Sequence, residues 1–155
     1  VFGFISGFSI LFHWSMWDCN IGNGCIIGNS TKIAGEVVID DFAILSANVL
    51  VHQFCHIGSY VMVGGGTRTA QDVPPFCIAS REPVAYCGLN MVGLKRRNFP
   101  MDVINALHSA YLILYQNSKL FNERIAEIRE TVMPCKEIDY LLEFLTNSKR
   151  GFIGR

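Results

Sequence analysis

From Cys19 to Gly66 the apolar positions of this chain recur every six residues. Ile21, Ile27, Ile33, Ile39, Leu45, Val51, Ile57 and Val63 are all aliphatic. The residue after each is mostly small: Gly22, Gly28, Ala34, Asp40, Ser46, His52, Gly58 and Gly64. Two residues before each stand Cys19, Cys25, Thr31, Val37, Ala43, Val49, Cys55 and Val61, again small or β-branched. A helix repeats every 3.6 residues and an isolated half-buried strand every two, so neither holds a strict period of six. A hexapeptide period specifies a parallel β-helix, in which each six is one short strand plus a corner. Three sixes close one triangular coil, so residues 18 apart stack at about 4.8 Å per rung. The expected interior columns are Ile21–Ile39–Ile57 and Ile27–Leu45–Val63.

The frame fails on either side. Residues 1–17 are apolar and aromatic, and the six-residue frame lands there on Ser15, Ser9 and Gly3. This segment is too short and too Gly/Ser-broken for a membrane span and has no basic start, so neither integral membrane contact nor a secretory signal is expected. Val73-Pro74-Pro75 closes the strand run, because proline donates no ladder hydrogen bond. Residues 76–99 read as an irregular connector. From Pro100 the spacing turns helical, with Val103, Ile104, Leu107, Tyr111, Leu114 and Tyr115 on the first stripe. Ile125, Ile128 and Val132 mark a second, and Ile138, Leu141, Leu142 and Leu145 a third. The expected organisation is a non-matching segment 1–17, a parallel β-helix 18–75, a connector 76–99 and a small helical domain 100–155.

Charge narrows the function. Thirteen basic and 13 acidic residues give zero formal net charge, which argues against nucleic acid as the partner. Six cysteines raise the question of disulfides. Cys19, Cys25 and Cys55 fall on an interior position of the repeat, where a thiol packs as a small apolar group. They read as free thiols in a reducing cytoplasm. With no CxxC or Cys/His metal spacing, no metal is assigned.

Stacking by 18 turns the sequence into a map. Trp17, Asp18, Gly35, Glu36, His52 and Gln53 gather at one edge. His52 takes the position after the inward aliphatic, so it points outward at a corner, and the reading is open between a surface histidine and a functional one. His56 faces another way, because a His-x-x-x-His pair shares a face only on a helix. A three-histidine zinc site shared between subunits stays as an alternative. Lys95-Arg96-Arg97 is either a solvated turn or a phosphate site, since guanidinium forks match phosphate oxygens.

Several segments together resemble the UDP-N-acetylglucosamine O-acyltransferases that begin lipid A synthesis. They are Asp18-Cys19 with Ile21-Gly22-Asn23, Ala34-Gly35, Val51-His52-Gln53-Phe54-Cys55, Met62-Val63-Gly64-Gly65 and Gln71-Asp72-Val73-Pro74-Pro75, then Gly88-Leu89-Asn90, Gly93-Leu94-Lys95-Arg96-Arg97 and Ser148-Lys149-Arg150-Gly151. The resemblance implies a left-handed β-helix and a homotrimer with sites between subunits. It implies acyl transfer to the 3-hydroxyl of UDP-N-acetylglucosamine from acyl carrier protein, whose phosphopantetheine carries the acyl group, with no cofactor of the enzyme's own. It assigns Asp18 to orienting a histidine base, and the Gly35 N–H to the oxyanion. His52, Gln53, Asn90, Arg96 and Arg97 bind substrate; Met62 and Gly65 line the acyl groove.

The resemblance begins at Asp18, so a homologue truncated at its N-terminus, with an unrelated first segment, is expected. The base position holds Trp17, and an indole N–H only donates. Trp14 and Glu36 replace two further family histidines. Two readings follow: an acyltransferase impaired at its base, or a non-catalytic trimeric β-helix that binds nucleotide-sugar or acyl carrier protein.

Overall fold

A computed structural model describes residues 18–155 apart from position 117. The six-residue period is realised as nine two-residue strands, β1 (Asn20–Ile21), β2 (Ile26–Ile27), β3 (Lys32–Ile33), β4 (Val38–Ile39), β5 (Ile44–Leu45), β6 (Leu50–Val51), β7 (His56–Ile57), β8 (Met62–Val63) and β9 (Arg68–Thr69). Strands three apart pair in parallel, Ile21 on Ile39 on Ile57 and Ile27 on Leu45 on Val63. The columns expected from the sequence are therefore in register, and a third runs Ile33–Val51–Thr69. Three flat faces result: β1-β4-β7, β2-β5-β8 and β3-β6-β9, wound as a left-handed parallel β-helix.

Each hexapeptide sends two side chains inward. Ile39, Leu45, Ile57 and Val63 are almost fully buried, as are Val37, Ala43, Val49, Cys55 and Val61 two positions earlier. The third turn residue at every corner lies in the left-handed region, at 18, 24, 30, 36, 42, 48, 54, 60 and 66. That is the backbone of a turn with φ > 0 at its third residue. Residues with a Cβ resist it by about 1–2 kcal/mol each, and only positions 24 and 66 are glycine. Glycine matters more at the position after the inward aliphatic. A Cβ on Gly28 would lie 2.6 Å from the Ala47 nitrogen, and one on Gly58 would lie 2.6 Å from the Pro75 nitrogen, so the coil above sets the residue size.

The segment 76–99 is not irregular. Past the prolines, β10 (Cys77–Ser80) joins β8 in parallel and turns back as β11 (Ala85–Leu89). The prolines interrupt one rung, but Cys77 and Ala79 are fully buried and re-enter the core on the far side. Asn90 then caps α1 (Met91–Arg96) through its side chain, which accepts from the Gly93 N–H at 3.1 Å. The helices expected from the spacing are α2 (Met101–Leu114), α3 (Phe121–Thr131) and α4 (Lys136–Asn147), with the residues of each apolar stripe buried except half-buried Tyr115.

One continuous core runs from Ile33 to Ile153. The C-terminal segment returns to the β-helix, where Ile153 N–H donates to the Asp72 carbonyl at 3.0 Å and Ser148 Oγ donates to the Asp72 carboxylate at 2.6 Å. The helices are thereby fixed on one face of the prism. Leu45→Ala should cost about 2–5 kcal/mol in urea unfolding, as expected for an interior column position that cannot collapse. Leu112→Ala, half-exposed on α2, should stay within about 1 kcal/mol.

Candidate functional site

The corner that follows β3 and β6 carries four of the nine predicted site residues, Asp18, Gly35, His52 and Gln53. Asp18 and Glu36 share its left-handed position at φ 56° and 55°. The Gly35 carbonyl accepts the Phe54 N–H at 3.2 Å, which locks the two coils together there. The Gly35 N–H has no acceptor among the described residues, and neither has that of Gln53. Among the described residues, both donors are left to an oxygen that docks on this edge. His52 and Gln53 are exposed directly above Ala34 and Gly35. His52 Nδ1 lies 3.2 Å from the Gln53 carbonyl. A carbonyl only accepts, so Nδ1 is the donor in this contact and Nε2 is left for another partner. Trp17 and Trp14 lie outside the described residues.

The other predicted residues stand elsewhere. Met62 is 38 % exposed on the outer side of β8, in register with Ile44 and Ile26 below and Ile78 above. These four form an aliphatic track down the β2-β5-β8 face. Gly65 sits at the end of that face. Its backbone is not left-handed, and a Cβ there would be 3.3 Å from the Ala47 carbonyl, so a side chain fits with a small shift.

Arg96, Arg97 and Asn90 sit at the corner that follows β4 and β7. Arg97 lies over the Phe42 ring at 4.2 Å and the Tyr60 ring at 5.6 Å. Phe42 stacks on Tyr60 at 5.2 Å and Tyr60 on Phe76 at 5.6 Å, so one column of corner residues forms an aromatic ladder capped by a guanidinium. Arg96 is exposed at the end of α1. Asn90 is 5 % exposed and donates from its amide to the Tyr60 carbonyl at 3.0 Å while it caps α1. Its amide is committed on both sides to holding the Arg96–Arg97 turn on the ladder.

His56 belongs to a network that the sequence reading did not find. Its Nε2 is 2.8 Å from Asp40 Oδ2, Tyr140 of α4 donates to the same oxygen at 2.5 Å, and Ser59 N–H donates to the Tyr140 hydroxyl at 2.9 Å. Phe144 covers the imidazole at 4.4 Å between ring centres. Burial pushes the Asp40 carboxyl up, but the hydrogen bonds from His56 and Tyr140 outweigh it and hold the pKa below the ordinary value. His52 and His56 therefore face different directions and share no ligand set. The cysteines are free, and burial pushes Cys55 up to about 11 and Cys77 up to about 12, which suits packing rather than nucleophilic work.

Comparison with known proteins gives this geometry a family. The model of domain 2 of the UDP-N-acetylglucosamine O-acyltransferases matches residues 72–153, more than half of the chain. The chain belongs to this family. Curated O-acyltransferases named as acyl-[acyl-carrier-protein]--UDP-N-acetylglucosamine enzymes are similar: that of Burkholderia orbicola is 41% identical over 140 residues, which cover 88% of this chain and 53% of that protein. That of Thiobacillus denitrificans is 40% identical over 136 residues, with the same coverage. The crystal structure of the Bacteroides fragilis UDP-N-acetylglucosamine acyltransferase superposes with a TM-score of 0.85 at 51% identity, over 87% of this chain and 53% of that one. The chain spans about half the length of the family members it matches.

The Asp40 network sets a pH dependence. A carboxyl whose folded pKa is depressed contributes stability above its unfolded value, and that contribution is lost as pH falls through the folded pKa. Urea midpoints of the wild type should therefore hold from neutrality to about pH 5 and decline below about pH 4. Asp40→Asn should lower the unfolding free energy at neutral pH by about 1–3 kcal/mol and flatten that acid decline. An unchanged acid slope in the variant would assign the decline to other carboxylates.

Proposed function

We propose that this chain serves acyl transfer from acyl carrier protein to the 3-hydroxyl of UDP-N-acetylglucosamine, the opening step of lipid A synthesis, in the cytoplasm and as a homotrimer. The observation that carries the reading is the edge at which the Gly35 N–H, without an acceptor among the described residues, stands one coil below exposed His52 and Gln53. The acceptor hydroxyl attacks the carrier's thioester, a C–O bond forms, negative charge collects on the former carbonyl oxygen, and the carrier thiol leaves. The Gly35 N–H is suited to that oxygen. His52 and Gln53 offer an imidazole nitrogen and an amide to the nucleotide-sugar, and Arg96 and Arg97 offer guanidinium N–H groups to phosphate.

The acyl chain needs an apolar channel. The track Ile26–Ile44–Met62–Ile78, ending at Gly65, supplies one wall. A second wall has to come from elsewhere, and another copy of the chain laid on the same exposed aliphatic face supports both the trimer and the groove. A trimer also accounts for the separation of Arg96 and Arg97 from His52 and Gln53 on one chain, since residues from different corners can then meet at a subunit boundary.

The base is the exception. Family resemblance puts a histidine before Asp18, and Trp17 stands there. That substitution favours the second reading, a β-helix that binds nucleotide-sugar or carrier protein without turnover. Transfer of 3-hydroxyacyl groups from carrier to UDP-N-acetylglucosamine, measured for the wild type and for Trp17→His, separates the two. A gain of about 10²–10⁴-fold in the variant is expected, the usual contribution of a positioned general base. Absence of transfer in both, with UDP-N-acetylglucosamine still bound, would support the binding reading. In the active variant, Gly65→Met should shift the preference to shorter acyl chains, and an unchanged chain profile would remove Gly65 from the groove.

A further inference from the structure

The three faces of the prism are not equally free to meet another copy. The β1-β4-β7 face is taken by α4, whose Phe144 covers His56 and whose Tyr140 donates to Asp40. Three parallel prisms around a threefold axis each turn one face to the axis and the two corners beside that face to their neighbours. The β3-β6-β9 face is flanked by the Gly65 corner on one side and the Gly35–His52 corner on the other. With this face turned to the axis, the Gly65 corner of one copy meets the Gly35–His52 corner of the next. An acyl chain bound for the sugar hydroxyl requires that meeting, so in the proposed trimer this face is the inner one.

That face carries Lys32, Leu50 and Arg68, one above another in register. Lys32 and Arg68 are exposed and Leu50 is half-buried. Among the described residues neither cation lies within ion-pair distance of a carboxylate. Threefold symmetry turns each residue into a ring of three, with successive rings about 4.8 Å apart. The two cationic rings differ in what the flanking corner sets beside them. Four residues past Lys32, at nearly the same height, exposed Glu36 stands at the corner that faces the next copy. Four residues past Arg68 comes Asp72, which is 2 % exposed. Its carboxylate already accepts the His56 N–H at 2.8 Å and the Ser148 hydroxyl at 2.6 Å. Arg150 stands there instead, with its Nε donating to the Ala70 carbonyl at 2.8 Å, so the upper level gains cations.

We infer that a tetrahedral oxyanion of the phosphate class sits on the threefold axis of the trimer, held by the three Arg68 guanidiniums. Guanidinium forks match phosphate oxygens. A tetrahedral oxyanion also shares the symmetry of the ring, since it presents one oxygen to each copy. Gathering three guanidiniums at an interface without counter-charge is costly. No uncommitted carboxylate at this level of the chain answers them, so the anion enters with assembly. The Lys32 ring needs no such ligand, because Glu36 of the adjacent copy stands beside it. Leu50 forms an apolar ring between the two and confines the anion to the upper level. The inference rests on the trimer of the acyl-transfer reading, and Arg68 is none of the residues assigned to transfer.

The test is sedimentation of the full chain in inorganic phosphate and in chloride, at equal ionic strength and pH, for the wild type and for Arg68→Gln. An anion bound only by the trimer shifts assembly by mass action, so the wild-type trimer should persist to concentrations about tenfold or more lower in phosphate than in chloride. In Arg68→Gln, which removes both the repulsion and the ligand, the two salts should agree within about twofold. Arg68→Thr serves as a second neutral variant and keeps the test valid if the first folds poorly. A wild-type trimer that dissociates within about twofold of the same concentration in both salts, well under the expected shift, overturns the anion site and leaves the trimer standing. Phosphate dependence that survives in the neutral variants places the anion elsewhere and likewise overturns the Arg68 ring. A wild-type chain that is monomeric in both salts overturns the site together with the trimer of that reading.

Discussion

Everything in this molecule depends on hydrogen bonds between coils 18 residues apart. Each two-residue strand is too short to hold itself, and its N–H and C=O groups are satisfied only by the coils above and below, as in Ala34 N–H to Val51 at 3.0 Å and His52 N–H to Thr69 at 2.9 Å. That requirement fixes the period at six, forces a left-handed residue at each corner, and leaves no room for a Cβ at Gly28 or Gly58. The strain at the corners is offset where side chains stack. Phe42 and Tyr60 both adopt φ near +60°, and both are held in the aromatic ladder that Arg97 caps.

The same constraint distributes function. A triangular prism with an invariant interior leaves the outward residues free to differ face by face. One face receives the helices through Asp40, His56 and Tyr140, one is aliphatic, and one is cationic. Groups suited to oxyanion and sugar cluster at a single corner, while the guanidiniums sit at another. On a single chain these two groups stand apart, and Asn90, bonded to the Tyr60 carbonyl and to the Gly93 N–H, holds the Arg96–Arg97 turn on the β-helix.

The β-helix was legible because its period is strict: Ile21, Ile39 and Ile57 could be stacked by counting, and the helical stripes from Val103 to Leu145 by their spacing. The stretch 76–99 was not, because Pro74 and Pro75 look like a terminus when the register in fact shifts: Ile78 pairs with Met62, 16 residues away rather than 18. At the candidate site, the Gly35–His52–Gln53 edge followed from the same count. The Phe42–Tyr60 ladder was available to that count as well, 18 residues apart at a corner, had the corner positions been read as a column of their own. Tyr140 meeting Asp40 across 100 residues carries no periodic signal and emerges only from the docking of α4.

The central claim is that the corner after β3 and β6 is where the nucleotide-sugar meets the acyl donor. A crystal structure of the chain bound to UDP-N-acetylglucosamine tests it most directly. The account predicts the sugar beside His52 and Gln53, with its 3-hydroxyl directed toward the Gly35 N–H. A nucleotide-sugar seated wholly between Arg97, Tyr140 and the start of α4, away from that corner, would contradict it.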